Sequence, residues 1–167
     1  PGPFVMLADP AAVPAAVQAR WLSHWRGRCV AWVPQIHTQS SLDAAAALMP
    51  AIWPHLARDA GVALWAVGGG TTLDLAKALR WRLPEPGQGA DCWRANQLPD
   101  GFHRHALWCS PTTAGTGSEV TPWATVWDLA QGCKRSWHPP QGQPDLALID
   151  PQLSSSCPWS VTRDCGL

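Results

Sequence analysis

The chain has 167 residues, 46% hydrophobic and 14% charged, with 12 Lys and Arg against 12 Asp and Glu. That length and apolar content suit one domain with a sizeable core and exclude a disordered chain. The charge balance excludes a field that would draw nucleic acid or an acidic membrane, while leaving room for a local cationic site for a phosphate.

The first periodic segment, residues 11–25, reads as a helix with Pro14 in its first turn and Val17, Trp21 and Leu22 on one face. Residues 29–33 (CVAWV) form a short apolar run, expected as a buried strand. Ser40-Ser41-Leu42-Asp43 resembles a capping box opening a helix over residues 44–58, which Pro50 and Pro54 should kink or split. Residues 62–67 (VALWAV) read as a second buried strand, followed at once by Gly68-Gly69-Gly70 and a helical run over residues 72–81. Residues 84–101 read as a loop, 106–110 as a third strand, and 112–118 as a loop of small residues. Residues 120–127 and 134–137 flank a turn and predict a hairpin, and 146–149 is a last strand. Strands alternating with helices predict an α/β fold with a Rossmann-like, largely parallel sheet. Ligands sit beyond the carboxyl ends of strands in such sheets, and two loops fall there.

The first is Gly68-Gly69-Gly70-Thr71-Thr72-Leu73-Asp74. Three glycines let backbone N–H groups approach an anion, with the positive end of a helix behind them. Thr71 can cap that helix and Asp74 can complete a capping box. A tight turn without a ligand explains the glycines equally well; pure capping explains Asp74, and Lys77 reads as a solvated charge. The motif is neither the Gly-x-Gly-x-x-Gly fingerprint nor a P-loop. The second loop, Pro111-Thr112-Thr113-Ala114-Gly115-Thr116-Gly117-Ser118-Glu119-Val120-Thr121, concentrates hydroxyls suited to phosphate, ribose or amide recognition. Composition alone also allows a polar surface loop.

PTTAGTGSEVT, preceded by GGGTTLDLAK and followed by a Lys and ALIDPQL, resembles the group III, iron-containing alcohol dehydrogenases. VTPWATVWD is most similar to their phosphonoacetaldehyde reductase branch. The resemblance implies the amino-terminal cofactor domain of the dehydroquinate synthase-like fold across residues 1–167, ending before a carboxyl-terminal helical domain that binds Fe2+ or Zn2+. It implies NAD or NADP as cofactor, with the pyrophosphate at Gly68, Gly69, Gly70 and Thr71. Thr112, Thr113, Thr116 and Thr121 would line the cleft. Lys134 would reach the cofactor from the hairpin, although without the resemblance it reads as an exposed charge. The implied reaction is reversible hydride transfer between the nicotinamide and an aldehyde or alcohol, such as phosphonoacetaldehyde, with a metal polarising the substrate oxygen in the full-length protein. A full-length homodimer is also implied. The alternatives are a non-catalytic dinucleotide-binding relative and a glycerol or glycerol-phosphate dehydrogenase, against which PTTAGTGSE argues.

The chain departs from the family at three places. The metal-binding Asp of the family would follow Leu167, so no metal ligand is assigned. An Asp that contacts the adenine ribose is replaced by Pro34 at the matching position, which leaves NAD and NADP open. The interval from residues 29–33 to Gly68 looks short by a helix and a strand, roughly 20 residues.

The remaining candidates have ordinary explanations. His103-x-His105 could pair on a metal, but loop histidines explain it better. Cys109 reads as a small buried thiol, and Trp21, Trp25, Trp32, Trp53 and Trp65 as packing residues. Twelve tryptophans against no tyrosine have no physical explanation in the sequence. The six cysteines form no Cys-x-x-Cys pair, and residues 1–18 lack the charged start and long apolar run of a secretory signal. Reduced thiols in a cytoplasmic protein are therefore expected, with no membrane span.

Overall fold

The computed structural model describes residues 2–166. In chain order the elements are β1 (Phe4–Ala8), α1 (Ala15–His24), β2 (Cys29–Pro34), α2 (Leu42–Leu56), β3 (Ala63–Gly68), α3 (Gly70–Leu79), β4 (Trp81–Arg82), α4 (Gly89–Ala95), β5 (His103–Arg104), β6 (Leu107–Pro111), β7 (Ala124–Asp128), β8 (Cys133–Trp137), β9 (Leu146–Ala147), α5 (Pro151–Ser154) and α6 (Trp159–Gly166). The main sheet has five strands in the order β2-β1-β3-β6-β9, and each adjacent pair is parallel. The expected Rossmann-like sheet with flanking helices is therefore present.

Side chains alternate across this sheet as a pleated strand requires. Val5 and Leu7 of β1, with Leu64 and Ala66 of β3, pack in the core shared with α2 and α3. Phe4, Met6 and Ala8, with Ala63, Trp65 and Val67, face the opposite core, where Trp21 of α1 and Trp25 just past its end also pack. Much of the tryptophan excess is spent on this second face. Phe4 lies 5.2 Å from Trp65 and 5.9 Å from Trp25, both edge-on, the geometry that aligns ring edge with ring face. Trp53 packs in the other core and donates its Nε1–H to the Leu79 carbonyl at 2.9 Å.

Several sequence expectations need correction. Strand β1 was not anticipated, yet it lies between β2 and β3 and is buried along its whole length. With β1 in place, β1-α1-β2-α2-β3 runs without a gap, so the shortfall expected before Gly68 is absent. The run FVMLA is short because both faces of β1 are covered, which requires no polar alternation. Helix α2 is one element despite Pro50 and Pro54, both of which lie on its exposed side. Pro14 precedes α1 as its N-cap and is not inside the first turn. The expected loop 84–101 contains α4. The hairpin forms as β7 paired antiparallel with β8. Among the described residues, no helix is long and apolar enough to cross a membrane.

Candidate functional site

Strands β3 and β6 end side by side, with Gly68 paired to Pro111. The glycine turn and the threonine loop therefore leave the sheet at the same level. An added Cβ on Gly69 would lie 3.3 Å from Cγ2 of Thr113, and one on Gly70 would lie 3.1 Å from Cγ2 of Thr116. A Cβ on Gly68 would overlap the Thr72 side chain. The space freed by the three glycines is thus occupied by threonine side chains, which bring the two loops into contact. Gly69 has φ −75° and ψ −175°, an extended conformation open to any residue, so close approach explains this glycine.

Helix α3 begins two residues earlier than expected. Gly69 is its N-cap, and no side chain caps it. The capping box from Thr71 to Asp74 does not form, because Thr71 already lies inside the helix. The N–H groups of the first turn have no acceptor within the helix and carry the positive end of its dipole. A cleft of about 320 Å³ opens there. It is lined by Gly70, Thr71 and Asp74 of α3 and by Thr116. Thr38, Gln39 and Ser40 also line it, with Thr125 and Trp127 of β7. The hairpin and the Ser40 segment are joined where Trp127 N donates to Ser40 O at 2.8 Å. Ser40 is buried, and its hydroxyl has no partner among the described residues.

The residues expected to bind the cofactor differ in what they touch. Thr113 and Thr116 meet the glycine turn, whereas Thr112 is buried beneath it. Thr121 accepts from Lys77 Nζ at 3.3 Å and is already engaged inside the protein. Lys134 is exposed on β8, with its ammonium 4.9 Å from the centre of the Trp127 ring. It therefore reaches the cleft wall through a cation–π contact.

Lys77 is not a solvated charge. It is 1% exposed and donates to Ser118 Oγ at 2.7 Å and to the Trp123 carbonyl at 2.6 Å. Burial pulls its pKa below the ordinary lysine value, opposed by the carboxylate of Asp74 at 3.6 Å. Asp74 accepts from the Ser118 hydroxyl at 2.7 Å and from the Thr125 amide at 2.9 Å. It joins three elements and caps none.

Asp9 was given no role in the sequence reading, where β1 was not recognised. It follows the carboxyl end of β1, and its amide donates to the Val67 carbonyl at 2.9 Å, one residue before the glycine turn. Pro34 ends β2, the outer strand of the sheet. Gly115, at φ +149°, sits against the Cys165 carbonyl of α6, so the threonine loop also touches the last helix.

The other candidates keep structural roles. Burial pushes the Cys109 thiol up to about 12, which removes the thiolate needed for nucleophilic chemistry. His103 and His105 have ring centres 4.5 Å apart, but among the described residues no group of three or more His, Cys, Asp or Glu could hold a metal ion.

The profile of the iron-containing alcohol dehydrogenase family matches residues 39–151. A choline dehydrogenase of Bacillus subtilis is 39% identical over 105 residues, covering 62% of this chain and 26% of that protein. A phosphonoacetaldehyde reductase of Streptomyces viridochromogenes is 38% identical over 96 residues, covering 53% of this chain and 24% of that protein. The chain thus spans about a quarter of the length of these relatives. The crystal structure of sulfoacetaldehyde reductase from Bifidobacterium kashiwanohense in complex with NAD+ superposes with a TM-score of 0.77 at 21% identity, covering 96% of this chain and 41% of that one.

Proposed function

The chain belongs to the iron-containing alcohol dehydrogenase family, and from that premise we propose that residues 1–167 form the dinucleotide-binding domain of an NAD(P)-linked alcohol or aldehyde oxidoreductase. The observation that carries this reading is the cleft at the uncapped amino end of α3, walled by the threonine loop. Two features of that cleft fit the cofactor. The first-turn amides of α3 need an acceptor, and a pyrophosphate supplies one. The buried Ser40 hydroxyl lacks a partner, and a ribose or phosphate oxygen would satisfy it.

Gly70 and Thr71 would hold the pyrophosphate through backbone amides, and Thr113 and Thr116 would add hydroxyls. Lys134 would draw the anion toward the cleft from above Trp127. The Asp9 backbone lies beside the end of β3, and its carboxylate, which accepts from the Ala11 amide at 2.9 Å, would also accept from a ribose hydroxyl and repel a 2′-phosphate, which favours NAD over NADP. The nicotinamide, once bound, supplies or takes the hydride. The described residues do not fit the family's metal, so no step is assigned to one here.

The substrate is an aldehyde or alcohol. Phosphonoacetaldehyde is one proposal, but the relatives quoted include both a choline dehydrogenase and a phosphonoacetaldehyde reductase, whose named substrates carry opposite charges. Titrating NADH into the 167-residue chain tests the binding role. We expect saturable binding without aldehyde reduction. A folded chain that binds no dinucleotide would overturn the reading.

A further inference from the structure

Helix α3 carries a charge in a place that offers it no solvent. Leu73, Leu75, Ala76, Ala78 and Leu79 are all fully buried, and Lys77 lies among them. Removing an ammonium from water costs several kcal/mol unless it is well compensated, and an apolar side chain of similar length would fill the space more cheaply. The compensation is specific. An ammonium has three donors, and Lys77 finds Ser118 Oγ at 2.7 Å, Thr121 Oγ1 at 3.3 Å and the Trp123 carbonyl at 2.6 Å. All three acceptors lie in one stretch, between Thr116 at the cleft and Thr125 at its rim. Asp74 closes the network by accepting from Ser118 and from the Thr125 amide.

We propose that Lys77 is a positioning residue for the dinucleotide site, its buried ammonium fixing the segment from Ser118 to Trp123 so that Thr113 and Thr116 meet the amino end of α3. This rests on the cleft being the dinucleotide site. Lys77 does not itself line the cleft, although its ion-pair partner Asp74 does. It acts through Ser118 and Asp74, and through the loop they hold. Without it, Ser118, Thr121 and the Trp123 carbonyl lose a shared donor, and the loop loses the anchor that follows Thr116. The sheet order is set by backbone pairing, and neither apolar core includes Lys77.

The test uses the whole chain and the variants Lys77→Ala and Lys77→Met, with NADH as the probe. NADH affinity is measured by calorimetry, and amide hydrogen exchange is followed across residues 112–125. Lys77→Ala should weaken NADH binding about tenfold or more and speed exchange in this stretch, while β1 and β3 stay protected. Added propylammonium, which matches the atoms removed, should restore both, and propanol, equal in size but neutral, should restore neither. Lys77→Met, which keeps the core filled, should lose affinity as Lys77→Ala does. Wild-type affinity in either variant, or equal rescue by propanol, would overturn the proposal. If the wild-type chain binds no NADH, the cleft reading fails separately. The anchoring claim is then judged by exchange alone, and unchanged exchange in both variants would overturn it.

Discussion

The amide of Thr112 donates to the carbonyl of Gly68 at 3.1 Å, joining the first residue of the threonine loop to the last residue of strand β3. This bond continues the β3–β6 pairing one step beyond the strands. It leaves the two loops with no room to separate, so the glycine positions tolerate little added bulk. Gly69→Val would push against Thr113, 3.3 Å from the Cβ position. We expect NADH affinity to fall about tenfold, a loss on the order of 1.4 kcal/mol, together with a lowered melting temperature. Calorimetry and thermal melting check both halves.

Asp9 tests the cofactor choice. Asp9→Ser removes a negative charge beside the end of β3 while keeping a polar side chain. The expected result is a gain in NADP binding relative to NAD, read as the ratio of the two dissociation constants. An unchanged ratio would show that Asp9 does not face the adenosine ribose.

Asp145 tests the frame behind the site. It accepts from the Leu107 amide at 2.8 Å and from Arg104 Nη2 at 2.7 Å, and it pairs with Arg80. Arg80 is fully buried and also donates to the His105 carbonyl at 2.9 Å and the Gln143 carbonyl at 2.7 Å. Asp145→Ala strands the Arg80 charge inside the protein, and the expected loss is about 3 kcal/mol of stability. Denaturant unfolding measures it.

His105 sets a pH dependence. It is 1% exposed, its Nδ1 lies 3.0 Å from the Val62 carbonyl, and burial lowers its pKa from 6.5 to about 4. An unfolded chain protonates this histidine below pH 6.5, while the folded chain holds it neutral down to about 4. The unfolded state therefore binds more protons in that window, and stability falls as the pH drops through it, by up to about 3 kcal/mol. His105→Gln should flatten this slope. Asp145, whose pKa is lowered, loses its contribution only at more acidic pH and leaves a separate transition.

Much of the site was legible because its chemistry is local. Three glycines after an apolar run, and a hydroxyl-rich loop after another, mark the ends of two parallel strands whatever the rest of the chain does. Strand β1 was not, although Pro3 and the Asp9-Pro10 pair bound its apolar run and could have identified a short buried strand. Lys77 was misread by the usual rule that a helical lysine is solvated. The signal against that rule was present, since apolar residues at 73, 75, 76, 78 and 79 leave α3 no solvent face. The Ser40–Trp127 wall carries no such signal. It arises where the hairpin folds back over α2, a contact between residues 87 positions apart that no local pattern encodes.

The most direct measurement is a map of backbone amide chemical shifts in the 167-residue chain as NADH is added. The largest changes should fall on Gly70, Thr71 and Thr116, with smaller ones at Ser40 and Trp127, and should saturate together. A folded chain whose shifts do not move, or move only away from the amino end of α3, would contradict the assignment of this cleft to a dinucleotide.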